Sequence, residues 1–503
     1  MVFSSPFFLA CFLPILLGLY ALAPSRARNA VLLAGSLFFY AWGEPKAILL
    51  MLALIGVNYA AGLAIARRLP PDGSPAPRGA RLALALGVAA DLAALGTFKY
   101  ASFLAQNLQA LGLRVPDPGI ALPIGVSFYV FQCVSYLADV YRRTIPAERS
   151  LPDFALYVSL FPQLVAGPIV RYASIRDAMH DRSLRADDAA EGLRRFGRGL
   201  AKKVLVADTL AKVADAAFPA DLAGLPQAFA WAGAFCYALQ IFYDFSGYSD
   251  MAIGLGRVFG FRFPENFDHP YCSTSVREFW RRWHMTLSGW FRDYLYIPLG
   301  GSRRGAARTY LNLVLVFALC GLWHGASWCF VLWGLWHGIG LVAERLLAAA
   351  TRRREASAHA VSQVAGLKSQ VRACDLRPAT CVPWPATVAG NLYVWLFTLV
   401  GWVPFKAGME GYGAGYAARY VKILFLGNAG HPLTSYWPAM ESYTHFALVA
   451  ALAGLILSYP LPASRLTPRG RTWPAYAASF ALFLAAYAFA MTSNYSPFIY
   501  FRF

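Results

Sequence analysis

The chain contains 503 residues, of which 58% are hydrophobic, 15% are aromatic and only 14% are charged. In soluble globular proteins roughly a quarter of the residues are charged, so this composition excludes a soluble domain of useful size. The formal net charge of +19 does not indicate nucleic-acid binding, because the basic residues cluster in short loops between apolar runs, as in the cytoplasmic loops of membrane proteins.

Long apolar runs follow one another along the chain, and about 20 such residues suffice for a helix to cross a bilayer. The first run has no basic segment before it and no small-residue cleavage site after it, so we expect a span rather than a removable signal. We predict an all-α polytopic membrane protein with about 10–13 transmembrane or partial spans. It should form one integral membrane domain over residues 1–503. The clearest runs are residues 7–23, 47–66, 82–98, 386–403, 445–461 and 475–491.

Basic residues between the runs predict the orientation of the spans, since cytoplasmic loops are enriched in Lys and Arg. Arg26 follows the first span, and the run that ends at residue 66 is counted as the third span, so Arg67 after it lies on the same side and the N-terminus lies outside. A basic cluster at 465–471 precedes the last run, and residues 492–503 should therefore form a tail on the outer face. The polar, Ala-rich segment 352–383 is predicted to be a cytoplasmic loop.

Two apolar segments, residues 123–129 and 161–169, are interrupted by glycine and proline. Interrupted helices at membrane depth are tolerated only where they face protein or a cavity, so these segments predict a central chamber. Asp244 and Asp250 lie in the run FYDFSGYSD. They are candidates for pairing with arginines of a later helix or for orienting a histidine, and a buried ion-pair network that locks helices together is the alternative.

The segment 277–304, REFWRRWHMTLSGWFRDYLYIPLGGSRR, carries the strongest cationic pattern in the chain. On a helical wheel, Arg281, His284 and Arg292 share an arc of about 80° with Arg277, and aromatic residues occupy the adjoining arc. This pattern predicts one amphipathic helix. Such a helix could hold lipid phosphates at the membrane surface, or its arginines could grip the phosphates of a large cytosolic donor such as coenzyme A.

Two histidines follow in the repeated tetrapeptide Leu-Trp-His-Gly, His324 and His337. An ionisable side chain in hydrocarbon is costly, which makes each a functional candidate, although a histidine satisfied by a neighbouring carbonyl is the structural alternative. Basic residues flank this apolar stretch on both sides, so the chain should enter the membrane and return, with His324 near the return. The two histidines can share a cavity only if the chain bends between them.

Several soluble-enzyme motifs do not occur in the sequence. There is no G-x-S-x-G elbow, no Walker loop, no G-x-G-x-x-G and no histidine with a carboxylate five positions on. Neither covalent serine hydrolysis nor ATP use therefore has support.

Taken together, these segments resemble the membrane-bound O-acyltransferase (MBOAT) family, and within it the bacterial branch that includes the alginate O-acetylation membrane protein. The resemblance runs over essentially the whole chain and is most specific in EFWRRWH and WFRDYLYIPLGG. It implies a bundle of spans around a central funnel or tunnel, with a catalytic histidine at its narrowest point. His324 matches that histidine, and His337 matches the family's second histidine pattern.

The resemblance also implies roles for individual residues. Acetyl-CoA is expected as the cytosolic donor substrate, with no permanently bound cofactor and no metal. His324 would be the general base and His337 a supporting group, while Arg281, His284 and Arg292 would supply donor-side electrostatics. An imidazole can take the proton of an acceptor hydroxyl while the thioester carbonyl is attacked.

The last six residues, FIYFRF, resemble a C-terminal motif of bacterial cell-surface acylation systems, including teichoic-acid D-alanylation. In those systems the tyrosine hydroxyl is thought to carry the acyl group outward, which makes Tyr500 a candidate relay. An aromatic anchor at the membrane surface is the alternative.

The implied function is O-acetylation of an exported, alginate-like or cellulose-like polysaccharide at the bacterial inner (cytoplasmic) membrane, with both termini periplasmic. The expected partners are a periplasmic SGNH-like acyltransferase or acetyl carrier protein and a polysaccharide synthesis and export complex. D-alanyl transfer from a carrier protein, an acyl or glycolipid transporter and a non-catalytic scaffold are the alternatives. The sequence does not indicate which polysaccharide is modified.

Overall fold

The computed structural model describes residues 1–182, 184–364, 384–428, 444–460 and 473–492. Regular structure within these ranges is helical, without strands, which confirms the all-α prediction. Five of the described helices are long and apolar enough to cross a membrane: Ala47–Arg68, Arg78–Ala110, Ala306–His324, Trp328–Arg354 and Ala386–Met409. Shorter apolar helices cover Phe8–Leu22, His445–Ser458 and Ala477–Met491.

The α-helices are numbered here in chain order. They are α1 Leu13–Leu22, α2 Arg28–Gly43, α3 Ala47–Arg68, α4 Arg78–Leu95, α5 Ala101–Ala110, α6 Val126–Tyr141, α7 Leu151–Ser159, α8 Phe161–Leu164, α9 Tyr172–His180, α10 Ala186–Ala201, α11 Asp208–Ala217, α12 Gln227–Val258, α13 Val276–Arg282, α14 Met285–Phe291, α15 Ala306–His324, α16 Trp328–Val364, α17 Trp384–Met409, α18 Ala414–Leu426, α19 Thr444–Ser458 and α20 Trp473–Thr492. A π-helical turn, Gly96–Tyr100, joins α4 to α5.

Helices α15 and α16 form a hairpin whose turn directly follows His324. Glycines let the two backbones approach closely, as small residues do between membrane helices. A Cβ atom on Gly321 would lie 2.1 Å from the carbonyl oxygen of Phe330, and one on Gly334 would lie 2.1 Å from that of Phe317. The predicted return of the chain at His324 is confirmed.

The segment 277–292 is not one helix, so the predicted continuous cationic stripe is wrong. Helix α13 ends at Arg282 and α14 begins at Met285, with His284 between them in the left-handed region at φ +43°. The break is stabilised by Asn266, whose backbone carbonyl accepts the Met285 N–H at 2.9 Å. A helical wheel cannot anticipate this contact, because Asn266 lies outside the segment.

One other prediction is corrected, and one open choice is decided. The first part of the expected loop 352–383 is helical, because α16 continues to Val364. Asp250 takes its ion-pair partners from α10 and the turn after it, Arg195 at 2.9 Å and Lys202 at 2.7 Å, rather than from the arginines of the later helix. Asp244 pairs with Lys203 at 2.8 Å. Both carboxylates thus belong to the buried network that was the alternative interpretation.

Three further predicted segments lie outside the described ranges: residues 365–383, the cluster at 465–471 and the tail 493–503.

Candidate active site

His324 is the last residue of α15 and is only 3% exposed. Its ring packs among aromatic rings, with centroid distances of 4.9 Å to Trp323, 5.0 Å to Trp333 and 5.3 Å to Phe405. The polar contacts are made at the end of α15, where the backbone carbonyls of His324 and Leu322 accept hydrogen bonds from Lys99 and Tyr100. Both donors lie on the π-helical turn after α4. The candidate base is therefore held in a dry aromatic setting with one polar edge.

A small cavity adjoins this polar edge, and we call it the histidine cavity. It is lined by Lys99, Ser127, Trp323 and His324, with Pro123, Gly125, Val126, Phe128 and Val165. Both interrupted segments contribute to this lining, so the two segments meet at one small cavity. Gly125 has φ +80°, and a Cβ there would lie 2.9 Å from the carbonyl oxygen of Leu164, so glycine is required where the two segments touch.

His337 is fully buried on α16. The indole Nε1 of Trp280 donates a hydrogen bond to its Nδ1 at 3.2 Å. Because an indole N–H can only donate, the proton of the neutral His337 ring lies on Nε2. Trp333 contacts both candidate histidines, with its ring centroid 5.0 Å from that of His324 and 5.1 Å from that of His337. His337 and His324 thus pack against the same indole ring, that of Trp333.

His284 is also fully buried, and it faces the interior of the bundle. Its Nδ1 lies 2.9 Å from Oδ1 of Asn266, and the amide of Asn266 is oriented by its own donation to Ser249 Oγ at 3.1 Å. Nδ1 therefore donates, which leaves a lone pair on Nε2, an atom without a hydrogen-bond partner among the described residues. The ring centroid of His284 lies 6.5 Å from that of Trp323.

A second cavity of about 230 Å³, here the arginine cavity, is lined in part by Trp280, whose indole is bonded to His337. Arg281 and Arg292 both line it, together with Arg277 and Arg345. His284 does not line it, because the break after α13 turns this side chain inward. The remaining lining is mostly apolar and comprises Trp280, Leu287, Ser288, Phe291, Tyr296, Leu313, Val316, Phe317, Cys320 and Leu341.

The arginines at the rim of the arginine cavity differ in whether they form ion pairs. Arg277 and Arg281 are exposed and form no ion pair within the described ranges. Arg292 is bound to Asp293 at 2.6 Å, and Asp293 also binds Arg171 at 2.8 Å. Burial alone would raise the pKa of Asp293, but the hydrogen bonds from Arg292 and Arg171 outweigh it and lower that pKa. Unpaired arginines beside an apolar floor suit a ligand with an anionic and an apolar part.

Comparison with known proteins gives a consistent result. The family model described as MBOAT, membrane-bound O-acyltransferase family, matches residues 126–365. The "Probable alginate O-acetylase AlgI" of Azotobacter vinelandii is 45% identical over 81% of this chain and 75% of its own length. The chain belongs to the membrane-bound O-acyltransferase family.

More distant members of the family differ in the acceptor that their names give. The peptidoglycan O-acetyltransferase of Helicobacter pylori is 37% identical over 70% of this chain and 72% of its own length. The teichoic acid D-alanyltransferase of Streptococcus thermophilus is 27% identical over 44% of this chain and 56% of its own length. The chain is thus a multi-pass membrane O-acyltransferase.

In this O-acyltransferase the predicted site residues fall into separate places. Arg281 and Arg292 share one cavity, His324 lines another, His337 and His284 are buried beside them, and Tyr500 lies outside the described residues. Lys99 and Asn266 both contact candidate histidines, and nothing in the local pattern singles out Asn266. A lone lysine at the end of the apolar run 82–98 is the one sequence signal that could have pointed to Lys99.

Proposed function

We propose that this chain is an acetyltransferase that takes an acetyl group from cytosolic acetyl-CoA across the bacterial inner membrane for O-acetylation of an exported polysaccharide. The observation that carries the proposal is the burial of His324 on the wall of the histidine cavity, one helical turn beyond Cys320, which lines the arginine cavity. The acetyl group and the polysaccharide are supported by the names of two relatives, an alginate O-acetylase and a peptidoglycan O-acetyltransferase.

The arginine cavity is the proposed donor site. Its exposed guanidinium groups suit the phosphates of coenzyme A, because the planar donors of arginine bind phosphate oxygens in pairs. Its apolar floor would receive the thioester arm. Two floor residues lead toward the histidines, since Trp280 is bonded to His337 and Cys320 lies one turn before His324 on α15.

The proposed chemistry is general base catalysis by His324. The neutral imidazole accepts the proton of an acceptor hydroxyl as its oxygen attacks the acetyl carbonyl, and the carbon–sulfur bond then breaks. The departing thiolate takes the proton from the imidazolium, which returns His324 to its neutral form and releases coenzyme A. Such proton transfer typically contributes about 10²–10⁴-fold to the rate.

The acceptor that first receives the acetyl group is proposed to lie on the periplasmic side. Tyr500 is the candidate relay within the chain, with final transfer to the polymer by an SGNH-like acyltransferase or acetyl carrier protein of the export complex. Mass spectrometry of enzyme charged with donor and free of partner proteins tests the relay. Absence of an acetylated Tyr500 peptide would remove the relay and leave the role of His324 standing.

The decisive experiment compares His324→Ala with His445→Ala in purified protein supplied with radiolabelled acetyl-CoA. His445 is exposed at the start of α19 and serves as the matched control. We expect folded His324→Ala protein to transfer no label to Tyr500 or to a partner, while the control transfers normally. Unchanged transfer by His324→Ala would show that the histidine is structural. Transfer that occurs only from a charged carrier protein, never from acetyl-CoA, would replace the proposed donor with the D-alanyl type.

A further inference from the structure

The end of α15 is held by side chains from another membrane span. The last four carbonyl groups of an α-helix need partners from outside the regular pattern, and at membrane depth no water replaces them. In α15, the Gly321 carbonyl accepts the Gly325 N–H at 3.2 Å. The Leu322 carbonyl accepts the hydroxyl of Tyr100 at 3.0 Å, and the carbonyls of Trp323 and His324 accept Nζ of Lys99, the latter at 3.4 Å.

The environment of Lys99 matches an ammonium group. Its Nζ has three N–H donors, and the third one donates to Ser127 Oγ at 3.1 Å. The side chain is only 7% exposed, and Nζ lies 5.7 Å from the ring centroid of Trp323. The negative end of the α15 dipole and the face of this ring both favour a cation here. The charge is thus stabilised from several directions.

A charged cap is more than a helix end requires. Helices commonly end with glycine in a left-handed conformation and backbone hydrogen bonds alone. Gly325 instead has extended backbone, at φ −165°, and the carbonyls of the final turn are left to Lys99 and Tyr100. Placing a cation in a membrane is costly. Lys99 also lines the histidine cavity together with His324, which indicates a role beyond closing the helix.

We infer that Lys99 is a positioning residue for acyl transfer, which fixes the terminal turn of α15 and places a fixed positive charge on the wall of the histidine cavity. This inference rests on the proposed function. In the transfer step, negative charge develops on the acetyl carbonyl oxygen, and a preorganised cation in a dry site lowers the cost of that charge. Because the three Nζ donors are used by protein oxygens, Lys99 acts through the backbone of His324 and through its field, without touching substrate.

The test combines a structural and a kinetic measurement on the full chain in detergent micelles. Lys99→Met removes the charge and the donors but keeps the length, whereas Lys99→Arg keeps the charge. Lys46→Met, at an exposed lysine outside both cavities, is the matched control. Amide hydrogen exchange of a peptide covering residues 318–326 reports on the turn whether or not the protein is active. Steady-state kinetics with acetyl-CoA reports kcat and KM separately.

We expect Lys99→Met to exchange about tenfold faster in the terminal turn of α15, since two buried carbonyls lose their donor. Its kcat should fall about 10²-fold, the loss typical of a misplaced catalytic group. KM for acetyl-CoA should stay unchanged, because the arginine cavity is lined by other residues. Lys99→Arg should recover part of kcat, and Lys46→Met should match the parent protein in both measurements.

Two results would overturn the inference: unchanged exchange together with unchanged kcat, or a raised KM with unchanged kcat, which would make Lys99 a donor-binding residue. If the parent protein transfers no acetyl group, the proposed function fails, while hydrogen exchange still decides whether Lys99 holds the turn. If Lys99→Met does not fold, Tyr100→Phe and Ser127→Ala decide. Each removes one hydrogen bond of the cluster and should speed exchange of the same peptide, and a parental exchange rate in both would refute the role.

Discussion

The two cavities beside the histidines are built on opposite principles. The arginine cavity has exposed cations at its rim, and its floor is apolar. In the histidine cavity, the cation and the imidazole are buried, and Lys99 is held by main-chain carbonyls of another span. Exposed charges are screened by water and salt, whereas buried groups depend on fixed partners. Single substitutions should therefore have small, graded effects at the arginine cavity and large effects at the histidine cavity.

The largest effect is expected at the close contact of α15 with α16, three residues before His324. Gly321→Leu places a side chain where a Cβ alone would lie 2.1 Å from the Phe330 carbonyl oxygen, so α15 and α16 must separate. We expect a loss of stability of about 3 kcal/mol or more, measured as thermal unfolding in detergent. Gly56→Leu on α3 is the control, because a Cβ there meets nothing within 4 Å. Equal unfolding temperatures for the two variants would contradict the close helix packing.

A smaller effect is expected from Trp280→Phe, because Trp280 lines the arginine cavity and is bonded to His337. The substitution keeps an aromatic ring but removes the indole N–H that is bonded to His337 Nδ1. Because a buried acceptor then loses its donor, the transfer rate should fall about tenfold. Trp336→Phe is the control, since its indole binds the Phe397 carbonyl rather than a histidine. A transfer rate of Trp280→Phe equal to that of the control would mean that the orientation of His337 does not matter for turnover.

At the arginine cavity, the expected effects are weaker and depend on salt. Arg281→Gln and Arg292→Gln should each raise KM for acetyl-CoA about twofold to fivefold, in keeping with the small worth of exposed charges. Added salt should shrink this difference, because it screens the charges that remain. Arg303→Gln, an exposed arginine outside the cavity, should leave KM unchanged. A lowered kcat with unchanged KM in Arg281→Gln would place the donor phosphates elsewhere.

The smallest effect concerns pH. Since the pKa of Asp293 is lowered in the folded protein by Arg292 and Arg171, its ion pairs add stability at neutral pH, and this contribution disappears as pH falls through the lowered pKa. Asp293→Asn should therefore unfold at a lower temperature than the parent protein at neutral pH. The gap should begin to narrow below about pH 4, where the carboxylate of the unfolded chain protonates, and should close once pH has fallen through the lowered pKa of folded Asp293. Asp177→Asn, whose side chain is almost fully exposed, is the control. A gap that persists in acid would assign the effect to something other than these ion pairs.

Local patterns predicted much of the architecture. The apolar runs, the interrupted segments and the return of the chain at His324 are all visible in stretches of a few tens of residues, and each is found in the structure. The helical-wheel prediction was wrong where a residue outside the predicted helix makes the contact that decides its shape. Asn266 breaks the helix expected over 277–292 and turns His284 away from the arginine cavity.

The sequence by itself determined the membrane class and the family and nominated His324 as the candidate base, because hydrophobicity and motifs are local properties of the chain. Tertiary structure alone decided which groups surround that histidine. Lys99 lies 224 positions from Trp323, whose carbonyl it binds, and Trp280 lies 57 positions from His337. Contacts of this kind depend on how the helices pack, since burial and hydrogen bonding join residues that no local periodicity relates.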